Sequence, residues 1–249
     1  MVKYIRSLSI NFITRRFFAF VVERKKTQPV HLEAQVGILY LIRHGQSEGN
    51  IRGGFAGRID YPLSPLGQKQ ANMTADFLRD EHIDVVLSSP LSRAYDTAVP
   101  IARTRGLDVL QREDLSEMDF GDWEGLPIEE VARRFPDAID IWNHEMYKTV
   151  CPGGETVREC FARAQRAICA IAETYADKTV CAVSHGALLR GMLCFLHGWP
   201  VEDIQKVMWA NNASVTKLMY TNGAFQIEYE GYSDHMGAYV TGVSSKLRE

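Results

Sequence analysis

A chain of 249 residues with 46% hydrophobic and 24% charged side chains has the make-up of an ordinary globular protein with one sizeable core. Its net charge of −3 is uneven: residues 1–35 hold seven basic side chains (Lys3, Arg6, Arg15, Arg16, Arg24, Lys25, Lys26) against Glu23 and Glu33, leaving a net of −8 for the remainder. A body so acidic is unsuited to nucleic acid, and an anionic ligand would need a focused local pocket. The five cysteines, Cys151, Cys160, Cys169, Cys181 and Cys194, include no C-x-x-C pair and read as reduced, buried thiols of a cytoplasmic protein.

Residues 1–35 contain apolar runs, but Arg15 and Arg16 break them well short of the roughly 18 residues a membrane span needs. No secretory signal pattern is clear. The segment reads either as a basic amphipathic stretch on an anionic membrane surface or as an extension without a role, and the second reading is preferred. Residues 36–249 form one domain without repeats or long linkers. Val36 to Ile42 is a continuous apolar run, as in a strand buried on both faces. A polar, Gly-rich loop follows to Pro62. Ser64 as N-cap and Pro65 at the first helical position open a helix to about Asp80. Asp84 to Ser88 reads as a strand and Pro90 to Arg105 as a helix. Leu115 to Gly154, rich in Gly, Pro and Trp, resembles a cap-like insertion, in which Trp123 and Trp142 are expected to be packing residues. A helix over 156–175 follows, with Val157, Cys160, Phe161, Ala164, Ala167, Ile168 and Ile171 at helical spacing. Next come a strand at Thr179 to Val183, a helix from Ala187 to His197, and strands near 213–220 and 225–229 joined by an Asn222-Gly223 turn. This order predicts a three-layer α/β/α sandwich whose sheet is mostly parallel with an antiparallel edge strand.

Three polar clusters follow three of the strands directly: Arg43 and His44, Ser89 and Arg93, and Ser184, His185 and Gly186. Ligands of open α/β sheets bind at the carboxyl ends of the strands, so two Arg and two His should meet at one edge. Guanidinium forks match phosphate oxygens, and the helix after His185 is expected to aim free N–H groups at the same point.

The run LIRHGQSEGN resembles the RHG signature of the histidine phosphatase superfamily, which includes the cofactor-dependent phosphoglycerate mutases. Matches in the same order follow at FAGRIDYPLSPLGQKQA, SSPLSRAYDTA, LSEMDFGDWEG, PGGET and VSHGALLRG, together covering residues 36 to about 220. The resemblance implies a phosphoglycerate mutase-like fold and a metal-independent reaction without cofactor. His44 would attack phosphorus, and Arg43, Arg93 and His185, with Gly186 and Asn50, would hold the phosphoryl oxygens. Glu117 would protonate the leaving oxygen and then activate water. The SEMDFGDWEG segment resembles the phosphatase branch rather than the mutases, which carry an ERHYG-like segment. The implied substrate is a small phosphorylated metabolite of unspecified identity, with specificity set by 115–154 and the loop after Asn50.

Each residue also has a structural reading. Arg43 could pair with Glu48 or Asp60, Asn50 could brace its own loop, and Asp114, Asp119, Asp122 and Glu124 compete with Glu117. Gly45-Gln46-Ser47-Glu48-Gly49 fits the G-x-S-x-G elbow of α/β-hydrolases, with Ser47 as nucleophile, but lacks the immediate helix expected there. His144-Glu145-Met146-Tyr147-Lys148 fails H-E-x-x-H, so no metal is expected. A non-catalytic phospholigand-binding protein on the same scaffold would have lost the nucleophile or the acid, and neither is missing. No pattern points to an oligomeric state.

Overall fold

A computed structural model describes residues 36–242. The basic extension 1–35 lies outside the described residues. Six strands form one sheet in the order β3-β2-β4-β1-β5-β6. The strands β1 (Val36–Arg43), β2 (Val85–Ser88), β3 (Val109–Gln111) and β4 (Thr179–Ser184) run parallel. Strand β5 (Val215–Thr221) pairs antiparallel with β1, and β6 (Ala224–Tyr232) completes that edge. Asn222 and Gly223 both take positive φ (53° and 83°), the conformation a tight two-residue hairpin requires.

The strands' alternation explains the layers. Leu39 and Leu41 of β1 face one core, with Ala164, Ala167 and Ile168 of α6 (Val157–Thr174) and Leu188 and Met192 of α7 (Gly186–Leu196). Tyr40 and Ile42 face the other, with Ala75 of α2 (Pro65–Phe77) and Ala98 and Ile101 of α3 (Ser92–Arg103). A strand covered on both faces has no polar position to spare, hence the unbroken apolar run. Local signals set the helix starts: the Ser64 hydroxyl accepts from Gly67 N, and Thr156 and Glu159 form a reciprocal capping box on α6.

Several elements depart from the sequence expectation. The loop 43–62 contains a short helix, α1 (Glu48–Arg52), capped by Ser47 and Asn50. The short strand β3 has no strong pattern of its own and extends the sheet by pairing with β2. Helix α2 ends at Phe77 rather than near 80, and α3 begins at Ser92 rather than Pro90. Within 115–154 stand two short helices, α4 (Ile128–Arg134) and α5 (Pro136–His144). Trp123, Val131, Ile139 and Trp142 of this region join the core that β1 shares with α6 and α7. Among the described residues no helix is long and apolar enough to cross a membrane.

Candidate active site

The sheet register sets the site. Arg43 at the end of β1 stands opposite Ser184 at the end of β4, and Ser88 of β2 stands opposite Val183. The residues just past these ends therefore converge on one edge. A cavity opens there, lined by Arg43, His44, Asn50, Arg93, Glu117 and Gly186 among others.

His44 is almost fully buried (3% exposed), and its Nδ1 lies 2.6 Å from the carbonyl oxygen of Gly45. A carbonyl only accepts, so Nδ1 carries the proton and Nε2 keeps its lone pair. Burial, reinforced by the guanidiniums of Arg93 and Arg43, holds the imidazole well below its usual pKa. The ring is therefore neutral and nucleophilic across neutral pH. The loop beneath it is pressed tightly: a Cβ on Gly45 would stand 2.6 Å from the Gly67 oxygen.

Arg93, on the first turn of α3, donates through Nη1 to Ile59 O (2.8 Å) and through Nη2 to Gly57 O (2.6 Å). Its Nε is buried without a partner. Gly57 can present its carbonyl because it takes a φ of +49°, with Glu124 where a side chain would stand. Arg43 is oriented by donation from Nη1 to Ala210 O at 2.6 Å. Asn50 both braces its loop and lines the cavity. Its Oδ1 accepts from Ser47 N, Ser47 Oγ and Asn212 Nδ2 at 3.0–3.1 Å, which leaves the amide Nδ2 as its donor.

Glu117 stands at the start of α7, where Ala187 N and Leu188 N donate to its carboxylate at 3.2 Å and Met118 N at 2.9 Å. This corrects the expectation that those N–H groups of α7 are free for the ligand: a carboxylate of the chain itself takes the positive helix end. Arg163 braces the same segment, donating to Ser116 O (2.7 Å) and Glu117 O (3.2 Å) while pairing with Glu155. Three of the four competing acids are engaged elsewhere, Asp114 with Arg112, Asp119 with Gly121 N, and Glu124 with Arg58 N and Phe120 N.

His185 stands beside His44, fully buried, with ring centroids 5.1 Å apart. Its Nε2 is 2.7 Å from Ser89 Oγ, and its Nδ1 is buried without a partner. It is the N-cap of α7, in extended backbone just past β4, and the Ser89 contact ties it to the end of β2. Ser47, the candidate elbow nucleophile, is fully buried and spends its hydroxyl on capping α1, with no base beside it.

Sequence reasoning missed Trp209, Phe55 and Phe120 as cavity residues and Asn212 as a brace on the His44 and Asn50 backbone and side chain. Trp142 lines the cavity as well as packing, whereas Trp123 is purely a core residue. Trp209 sits in an irregular connection between 3-10 turn and strand, and nothing in its neighbours' pattern marks it. Asn212, three residues before the start of β5, carried the weak signal of an Asn-Asn pair near a strand start.

Comparison with known proteins agrees with this geometry. Residues 39–231 match the model of the histidine phosphatase superfamily (branch 1). Phosphoserine phosphatase 1 of Hydrogenobacter thermophilus is 38% identical over 72% of this chain and 85% of its own. A 2,3-bisphosphoglycerate-dependent phosphoglycerate mutase of Cytophaga hutchinsonii is 33% identical over 71% of this chain and 84% of its own. The mycobacterial glucosyl-3-phosphoglycerate phosphatase superposes with a TM-score of 0.73 at 29% identity, over 80% of this chain and all of that one. An α/β/α sheet with a neutral, buried histidine at its carboxyl edge, and this matched span, together make the chain a member of the histidine phosphatase superfamily and a phosphomonoesterase.

Proposed function

We propose that the enzyme hydrolyses a small phosphomonoester without a metal, through a phosphohistidine on His44. The observation that carries this reading is the donor-rich, acceptor-poor end of the cavity. The guanidinium groups of Arg43 and Arg93 and the amide of Asn50 gather around His44, and the buried Arg93 Nε lacks an acceptor. A tetrahedral dianion supplies the acceptors such a cluster needs.

In the first step His44 Nε2 bonds to phosphorus while the ester P–O bond breaks and Glu117 gives the leaving oxygen a proton. In the second, Glu117 takes a proton from water as that water attacks phosphorus and the P–N bond breaks, releasing phosphate and neutral His44. Arg43 and Arg93 offset the charge on the equatorial oxygens throughout. His185, beside His44 and with Nδ1 without a partner, joins the arginines in holding the phosphoryl oxygens. Gly186 provides close backbone approach at the head of α7. A phosphatase reading is favoured over a mutase because the segment carrying Glu117, SEMDFGDWEG, resembles that of the phosphatase branch, and relatives named as phosphatases are among the matches.

The test is phosphate release from para-nitrophenyl phosphate in excess chelator by the wild type and His44→Ala. Activity in the wild type and a loss of about 10³-fold or more in the variant are expected. Retained activity in His44→Ala refutes the nucleophile. An inactive wild type that interconverts phosphoglycerates instead makes the enzyme a mutase.

A further inference from the structure

The cavity lining is of two kinds, the polar groups around His44 and an aromatic surface. Among the described residues, no charged side chain apart from Arg43, Arg93 and Glu117 lines the cavity. Its wall is built from Phe55, Phe120, Trp142 and Trp209, with Ala56 and the backbone of several glycines between them.

The aromatic wall is rigid. Phe55, Phe120 and Trp142 are each only 4–5% exposed. The Phe55 ring meets Trp142 edge-on at 5.2 Å, and Phe120 meets it edge-on at 5.5 Å. Trp209 continues the surface, 6.2 Å from Trp142, and its ring lies against Gly186, where a Cβ would stand 3.3 Å away. The buried guanidinium of Arg190 is stacked 4.5 Å over the other part of this wall, on Trp209, and is fixed by donation to Val207 O at 2.7 Å. Ile51 and Met208, next in sequence to the lining residues Asn50 and Trp209, are 59% and 75% exposed. Apolar character thus extends to the chain around two of the lining residues.

Building on the phosphatase reading, we propose that the preferred substrates are monophosphates of aromatic or otherwise apolar, uncharged alcohols, whose leaving group lies against Phe55, Phe120, Trp142 and Trp209. An aromatic leaving group gains both area burial and edge or offset contacts on such a wall. The ammonium and carboxylate of phosphoserine would instead be desolvated where no opposite charge is placed to receive a carboxylate other than the arginines that the phosphoryl group occupies. A cationic leaving group could sit on aromatic faces, but Arg43 and Arg93 raise its energy there by like-charge repulsion.

The experiment measures kcat/KM for four esters of primary alcohols, whose intrinsic reactivities are close: 2-phenylethyl phosphate, phosphoserine, 3-phosphoglycerate and phosphocholine. The phenylethyl ester is expected to lead the other three by about ten-fold or more, chiefly through KM. Trp209→Ala is expected to narrow its lead over phosphoserine by about five-fold or more, and Trp209→Phe to restore most of it. A charged ester that equals or exceeds the phenylethyl ester overturns the proposal, as does a Trp209→Ala loss shared equally by all four. If para-nitrophenyl phosphate is hydrolysed while the charged esters alone among the four are turned over, only the substrate class is wrong. If no ester at all is hydrolysed, the phosphatase reading falls and this proposal with it.

Discussion

The two buried histidines make the stability of this fold depend on pH in a way that can be worked from the structure. His44 and His185 are both held well below 6.5, first by burial and then by the nearby guanidiniums, Arg93 foremost. In the unfolded chain both titrate near 6.5. Below that value the unfolded state binds protons that the native state refuses, so stability is full above 6.5 and falls as the pH drops. For one histidine that stays neutral in the native state the loss is at most RT ln(1 + 10^(6.5 − pH)), which is about 0.1 kcal/mol at pH 7.5 and about 2 kcal/mol at pH 5.0. The pair together removes at most about 4 kcal/mol, a large share of an ordinary domain's stability. Urea unfolding between pH 5.0 and 7.5, in buffers free of phosphate, measures this. Carboxylates change over the same range, so the informative quantity is the difference from a variant with one histidine fewer. His44→Gln and His185→Gln should each lose up to about 2 kcal/mol less than the wild type on acidification. Curves for wild type and variants that stay parallel would refute the assignment of neutral, buried imidazoles.

Three further outcomes are expected. Gly57→Ala places a side chain at a φ of +49° and within 1.9 Å of the Glu124 carboxylate. It should cost about 2 kcal/mol or more in urea unfolding and lower kcat/KM by displacing the carbonyl that anchors Arg93. Arg163→Met leaves the carbonyls of Asp114, Ser116 and Glu117 without this donor and Glu155 with only Asp119 N and Arg58. A stability loss of about 3 kcal/mol is expected, with kcat reduced more than KM is raised, because the acid's segment loosens while the phosphoryl cradle is untouched. Thiol titration at pH 8 should find at most one reactive cysteine in the native protein and five in urea. Burial pushes Cys151 and Cys181 up to about 12 and Cys194 to about 11, raises Cys160 further, and leaves Cys169 alone part-exposed.

Much of this protein was legible along the chain because its signals are local. A both-faces-buried strand needs an unbroken apolar run, and β1 shows one; Ser64-Pro65 and Thr156 with Glu159 mark helix starts through hydrogen bonds spanning three residues; Asn222-Gly223 marks the hairpin through backbone conformation alone. Arg43, His44 and Arg93 could be placed at one edge because each directly follows a strand of a parallel sheet, and topology carries them there. Short elements were not legible, since α1, β3, α4 and α5 are too brief to establish a period and are held by their neighbours. Tertiary structure alone decided three features of the site. Glu117, not the ligand, takes the N–H groups at the head of α7, because the chain brings a carboxylate there from 70 residues away. His185 meets Ser89 through Nε2, which ties the end of β4 to that of β2 beside His44. The aromatic lining of the cavity joins Phe55, Phe120, Trp142 and Trp209 from four separate segments. Apolar residues in irregular chain carry no period to read, and which of them share a surface depends on how the folded segments meet.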